Sequence, residues 1–150
     1  MLTRAAVVTE ARTWLGAPYH SLAASRHGVD CVGLVIGVAM AIGLVPASWR
    51  PPEYLSPEWF LHSQAERLLD AVRTSGVLHE IALLHIAEGD IVAFAWQEQP
   101  VSHLAFLSRM TPYPCILHAV QQAGRVVEHG LQGRWGTGVR RAFRFCGVRG

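Results

Sequence analysis

The fold of this chain is decided by one stretch, Gly28-Val29-Asp30-Cys31-Val32-Gly33-Leu34. A long apolar run, residues 32–45, begins directly after the cysteine. Asp is a favoured N-cap because its carboxylate accepts hydrogen bonds from the free N–H groups of a helix's first turn. The pattern therefore predicts a buried helix over about 31–42, with Cys31 as its first residue. The helix dipole and unpaired N–H groups stabilise a thiolate at that position, so Cys31 is a candidate nucleophile.

Length and composition predict one globular domain that spans residues 1–150. Hydrophobic residues make up 51% of the 150 residues and charged residues 16%, which is typical of a chain with a real core. The net charge of +2 is too small to predict a nucleic-acid partner. Arginines crowd the C-terminus, where a solvated basic edge is the favoured interpretation and an anionic partner or another subunit the alternative. They are Arg134, Arg140, Arg141, Arg144 and Arg149.

Cysteine usage and hydropathy exclude several classes of protein. The three cysteines show no CxxC spacing, which argues against a disulfide framework or a zinc site. Cys115 and Cys146 lie in apolar runs, so we expect both to be core residues. The N-terminus has no apolar signal region, and the run 32–45 is too short to cross a bilayer. We therefore expect synthesis in the cytoplasm without a signal peptide, and no insertion into a membrane.

Periodicity and turn residues predict helices in the first half of the chain and strands in the second. This order is typical of an α+β fold, with the inner face of an antiparallel sheet packed on the Cys31 helix. The predicted helices are 3–15, 31–42 and 56–74, and the predicted strands are 78–86, 90–96, 101–108, 115–120, 125–129 and 142–148.

A cysteine nucleophile needs a base, and histidine is the usual one. His103 and His118 each lie in an otherwise apolar strand, on either side of the turn at 110–114. A hairpin centred between Met110 and Thr111 places them directly opposite each other, and opposed residues share a face. We predict His103 as the base and His118 as the group that orients it. Of the others, His20 and His27 could border the cleft. His62, His79 and His85 are interpreted as surface or strand-edge residues, and His129 lies near a turn.

Zinc is the competing interpretation of the same residues, since Cys31, His103 and His118 are all possible zinc ligands. Their spacing matches no metal signature, and no acidic ligand accompanies them. The sequence therefore predicts no metal and no cofactor.

Five segments, in this order, resemble the NlpC/P60 superfamily of papain-like cell-wall peptidases. They are the opening helix and turn Ala11–Tyr19, the nucleophile motif Asp30–Leu34, and the strand segments Gly89–Phe94, Ser102–Leu107 and Leu117–Ala119. The chain departs from the family pattern at Val32, where Ser is usual, and at Leu104-Ala105, where Val-Gly is usual. A long insertion at 46–76, the compact length and the missing signal resemble the branch found in phage tails and gene transfer agents.

The resemblance implies an enzyme and assigns roles to residues. It implies a cysteine hydrolase of peptidoglycan stem peptides, commonly acting between D-γ-glutamyl and diaminopimelyl residues. Cys31 would attack the carbonyl, His103 would transfer the proton and His118 would be the third polar residue. Tyr19 would line the cleft and could complete the oxyanion site. Asp30 would cap the helix and could also meet a free amine of the stem peptide.

Delivery and partners follow from the same resemblance. The chain would be a component of a virion-like tail, would contact tail hub or tip proteins, and would act in the periplasm or cell wall of the target cell. The alternative is a structural tail-tip component that keeps the fold but has little activity. The departure from the family pattern at Val32, directly after the nucleophile, keeps this alternative open.

Overall fold

The computed structural model describes residues 2–49, 75–99 and 101–150. The predicted helix 56–74 lies outside these residues, as does most of the insertion. The helices are α1 (Arg4–Arg12), α2 (Cys31–Ala41) and α3 (Arg134–Gly138), with a 3-10 turn at Leu83–His85. The strands are β1 (Leu2–Thr3), β2 (Ala24–Ser25), β3 (Gly28–Val29), β4 (Leu78–Ile81), β5 (Ile91–Phe94), β6 (His103–Arg109), β7 (Cys115–Val120), β8 (Arg125–Gly130), β9 (Val139–Phe145) and β10 (Val148–Arg149).

The α+β prediction is confirmed. A six-stranded sheet of order β4-β9-β5-β6-β7-β8, antiparallel throughout, forms most of the second half of the described chain. Helix α2 packs on β6 and β7, and α1 packs on α2. Two short pairs, β1 with β10 and β2 with β3, complete the described strands.

Helix α2 begins where the sequence predicts. The Asp30 carboxylate accepts a hydrogen bond from the Gly33 N–H at 2.7 Å, which caps the first turn. Residues 31–39 are buried all round, because α1 covers one side of the helix and the sheet covers another. No helix within residues 2–49, 75–99 or 101–150 is both long and apolar enough to cross a bilayer.

A buried carboxylate ties the first helix to the sheet. Asp90 is fully buried and pairs with Arg144 at 2.7 Å and with Arg4 at 3.2 Å. The C-terminal arginines are therefore not simply a solvated edge: Arg144 is largely committed to a structural ion pair, and Arg141 contacts Glu80 at 3.5 Å.

Several sequence predictions need correction. Cys115 is buried as predicted, but Cys146 is exposed because it lies in the turn between β9 and β10. The predicted strand 78–86 ends at Ile81 and gives way to the 3-10 turn, and the last long strand begins at Val139. The predicted strand 125–129 is present as β8 and includes His129.

Candidate active site

Cys31 is the first residue of α2 and is 5% exposed. Burial, and then the negative charge of Asp30, raises the pKa of its thiol to about 12. Backbone N–H groups, including that of Leu104 at the start of β6, act in the opposite direction. The resting form is therefore a neutral thiol, and a base must remove its proton for the sulfur to react.

Asp30 holds two parts of the backbone together. It is fully buried, and its two oxygens accept hydrogen bonds from Gly33 N–H and from Leu22 N–H, each at 2.7 Å. The carboxylate thus fixes the start of α2 and the preceding loop. Its predicted contact with a substrate amine stays a prediction.

His103 and His118 meet, although not in the predicted register. The observed pairs, Phe106 with Leu117 and Leu107 with Ile116, shift the strands by two residues from direct opposition of the histidines. Side chains alternate with a period of two, so this shift leaves both rings on one face. His103 Nε2 lies 2.6 Å from His118 Nδ1 across the diagonal.

The face that carries the histidines differs from the one expected. Leu104 and Phe106 pack in the core cluster around α2, whereas Ala105 and Leu107, which alternate with them, pack in a second cluster with Phe94. His103 shares the second face by the same alternation. His103 is the first residue of β6, and the residue after it, Leu104, contacts Cys31 through its backbone, so His103 lines the same cleft as Cys31.

A third histidine extends the pair, and sequence reasoning missed it. His118 Nε2 lies 2.8 Å from His129 Nε2, and His129 Nδ1 lies 2.9 Å from the carbonyl oxygen of Gly130. The signal was present in the alternation of β8: His118 pairs with Val127, and His129 is two residues further along the same face. We call His103, His118 and His129 the histidine row.

The Gly130 carbonyl fixes the proton on each ring of the histidine row when the rings are neutral. A carbonyl only accepts, so His129 Nδ1–H donates to it and His129 Nε2 accepts. His118 Nε2–H then donates to His129, and His118 Nδ1 accepts from His103 Nε2–H. The lone pair left over is on His103 Nδ1, which can act as a base.

Burial keeps the first two rings of the row neutral. Burial, and then the positive charge of Arg134, lowers the pKa of His103 to about 4. Burial, followed by the neighbouring His103 and His129, lowers the pKa of His118 to about 2. At neutral pH the site therefore combines a thiol with an uncharged imidazole.

One cleft of about 400 Å³ is lined by both the candidate nucleophile and the candidate base. Tyr19, Cys31 and His103 line it, so the structure brings together three of the five predicted site residues there. His118, which contacts His103, and Asp30, which precedes Cys31, are both fully buried and are not among the residues that line the cleft. The remaining lining residues are Ser21, Trp96, Ser102, Ala119, Val120, Gln121, Gln122, Arg134 and Trp135.

The aromatic and cationic part of this cleft was not predicted. Trp135 packs edge-on against His118, with ring centroids 4.6 Å apart, and its centroid lies 5.4 Å from that of His103. The Arg134 guanidinium lies over the Trp96 ring at 4.3 Å. These residues come from a strand end and a five-residue helix, which have no periodic signal in the sequence.

The departures from the family pattern lie away from the cleft. Val32 is 5% exposed and belongs to the core cluster around α2. Leu104 and Ala105 are also buried core residues. The residue after the candidate nucleophile therefore packs inward, and Val32 is not among the described residues that line the cleft.

The possible zinc ligands named from the sequence do not form a metal site among the described residues. Within residues 2–49, 75–99 and 101–150, no group of three His, Cys, Asp or Glu side chains is arranged to hold a metal ion. Both ring nitrogens of His118 are engaged with neighbouring rings.

Comparisons by sequence and by structure give different results. No protein-family model and no curated protein matches the sequence. Solved structures do match. The NlpC/p60 domain of the peptidoglycan hydrolase SagA has 19% identity and a TM-score of 0.61, and the match covers 94% of this chain and 97% of that one. The P60 domain of an antigen from M. avium subspecies paratuberculosis has 15% identity and a TM-score of 0.60, over 94% and 92% of the two chains.

An NlpC/P60 family protein from Bacillus cereus has 18% identity and a TM-score of 0.68 over 95% of this chain. This chain spans only 40% of that protein's length. These likenesses show that the described chain has the NlpC/P60 fold.

Proposed function

We propose that this chain is a cysteine peptidase that cleaves peptidoglycan stem peptides. The observation that carries the proposal is the shared cleft of Cys31 and His103, in which the histidine row leaves His103 Nδ1 free to accept a proton. The likeness to a domain of a peptidoglycan hydrolase supports the choice of substrate. The bond between a D-γ-glutamyl and a diaminopimelyl residue is the specific target we propose.

The reaction has two halves. His103 Nδ1 takes the thiol proton while the Cys31 sulfur attacks the scissile carbonyl carbon. The Cys31 backbone N–H, at the helix N-terminus, donates to the resulting oxyanion, and Tyr19 is the candidate second donor. The C–N bond then breaks, His103 returns its proton to the leaving amine, and a thioester remains.

Water completes the reaction. His103 takes a proton from a water molecule, the resulting hydroxide attacks the thioester carbonyl, and the C–S bond breaks. The sulfur leaves as a thiolate and regains the proton from His103. The products are a free carboxylate and a free amine, with the enzyme restored.

The test uses purified sacculi. Wild-type protein should release muropeptides with new amine and carboxylate ends, which mass spectrometry identifies together with the bond cut. Cys31→Ala should release none, and Cys146→Ser, which changes a cysteine outside the cleft, should behave as wild type. Identical profiles for wild type and Cys31→Ala would overturn the enzyme assignment and favour the structural tail-tip alternative.

We also propose delivery by a phage-like particle, with tail hub or tip proteins as partners. Particles purified from a producing culture should contain this chain together with tail proteins, as identified by mass spectrometry. Its recovery only in the cell fraction would contradict this route.

A further inference from the structure

The cleft contains a cationic side chain that forms no ion pair with an acidic side chain among the described residues. Arg134 lines the cleft beside His103, and within the described residues no Asp or Glu lies within ion-pair distance of it. Arg144, Arg12 and Arg26, by contrast, each pair with an acidic side chain.

Two tryptophans hold this guanidinium in place. Its Cζ atom lies 4.3 Å from the centre of the Trp96 ring and 5.2 Å from that of Trp135, both within the range of cation–π contacts. Trp96 Nε1–H donates to the Arg134 carbonyl oxygen at 2.6 Å, so the indole and the backbone beneath the cation are tied together. The Arg134 side chain is exposed, yet these contacts hold its guanidinium in one position before any ligand binds.

Arg134 lies near the candidate base His103, because both contact the same tryptophan ring. The Trp135 ring lies against both His103, at 5.4 Å between centroids, and the Arg134 guanidinium. His103 is the group that returns the proton to the leaving amine. A substrate residue whose amine receives this proton would therefore lie near Arg134.

We propose that Arg134 binds a carboxylate of the substrate, carried by the amino-acid residue whose amine leaves. This assignment deepens the proposed function and rests on it. A guanidinium binds a carboxylate through two parallel N–H···O bonds, and the contacts with the two tryptophan rings hold the guanidinium in position for them. The other polar side chains of the described lining near the sheet end, Ser102, Gln121 and Gln122, are neutral and do not compete for the cation.

The first experiment compares two stem-peptide fragments that differ in one group. One has a free carboxylate on the leaving residue, and the other has a carboxamide there. Wild type should cleave the carboxylate form with a kcat/KM about 10- to 100-fold higher, the range of a charged hydrogen bond. Arg134→Gln should lose this preference and Arg134→Lys should recover part of it. Arg149→Gln, which removes the same charge outside the cleft, should keep it. A preference that persists in Arg134→Gln would overturn the proposal.

The second experiment does not depend on peptide cleavage. In a Cys146→Ser background, Cys31 is alkylated with anionic iodoacetate and with neutral iodoacetamide, and mass spectrometry gives the two rates. The iodoacetate-to-iodoacetamide ratio should fall several-fold in Arg134→Gln and stay unchanged in Arg149→Gln. An unchanged ratio in Arg134→Gln would count against the anion site. A fall in this ratio with no cleavage of sacculi would support the site while the proposed function fails.

Two glycines of α3 provide a further matched pair that leaves all charges in place. A Cβ at Gly138 would overlap the Trp96 indole, whereas one at Gly136 would meet only ordinary contacts, the nearest at 3.5 Å. Gly138→Ala should therefore displace the surface under Arg134 and lower the alkylation ratio, and Gly136→Ala should not. Equal ratios in the two variants would contradict the role of Trp96.

Discussion

The Nε2 atoms of His118 and His129 lie 2.8 Å apart. Which of these two atoms carries the proton decides which nitrogen carries the proton on His118 and, through it, on His103. Two neutral rings can share only one proton between these atoms. Because His129 Nδ1 must donate to the Gly130 carbonyl, the proton belongs to His118. The free lone pair on His103 therefore depends on a residue two rings away.

Replacing His129 tests this dependence. His129→Leu removes the acceptor for His118 Nε2–H and frees His118 to adopt the other tautomer. We expect kcat/KM to fall roughly 5- to 150-fold, which corresponds to the loss of a buried hydrogen bond worth about 1–3 kcal/mol. His129→Gln keeps an acceptor oxygen and should recover much of the activity. Nitrogen chemical shifts of His103 should report the change of tautomer, which a purely structural defect would not produce. Equal activity in both variants would refute the role of His129.

The pH dependence of activity follows from the lowered pKa of His103. The base must be neutral, so activity is present above its pKa and lost as the pH falls through about 4. We expect kcat/KM on a stem-peptide substrate to stay nearly constant between pH 5 and 7. An ordinary histidine with a pKa of ~6.5 would lose most of its activity over that range. Circular dichroism at each pH should show an intact fold, and a midpoint near pH 6.5 would contradict the assignment.

The parts of the site that could be predicted from the sequence are those whose structure is decided by residues close together in the chain. Asp30 and the apolar run after Cys31 predicted the cap and the buried helix, because both effects act within one turn. His103 and His118 were placed on one face despite the wrong register, because a two-residue shift preserves the face. Arg134 was not placed in the cleft. Its position depends on how β9 and β5 pair and on where Trp96 lies after the end of β5, and neither has a local signal in the sequence.

Replacing Asp30 should lower the stability of the protein and raise the reactivity of the Cys31 thiol. Asp30→Ala removes the cap of α2 and leaves Leu22 N–H without this acceptor, so the free energy of unfolding should fall by roughly 2–4 kcal/mol. Asp30→Asn keeps one acceptor oxygen and should cost less. The Asp30 charge raises the pKa of Cys31, so its removal in Asp30→Asn should lower that pKa and speed alkylation at pH 8. Urea unfolding and iodoacetamide rates measure the two effects, and slower alkylation in folded Asp30→Asn would contradict the electrostatic argument.

The contact between Gly37 and Trp14 should limit which side chains α2 tolerates. A Cβ at Gly37 would overlap the Trp14 ring, and this ring has little freedom to move. Its Nε1–H donates to Glu10 at 3.0 Å, and the Arg26 guanidinium lies 4.5 Å above it. Ala is the better helix former by about 1 kcal/mol, but overpacking costs about 1–3 kcal/mol. The net effect of Gly37→Ala should therefore be a free energy of unfolding lowered by up to about 2 kcal/mol in urea titrations.

A double-mutant cycle separates this overlap from other effects of the substitution. Trp14→Leu removes the ring that collides, so adding Gly37→Ala to it should cost little or should stabilise the helix through its propensity. The propensity gain is the same in both backgrounds and cancels, so the cycle should give a coupling energy equal to the overpacking cost, about 1–3 kcal/mol. If Gly37→Ala destabilises the protein equally with and without Trp14, the cost arises within α2, and close packing of α1 on α2 does not explain why this position is a glycine.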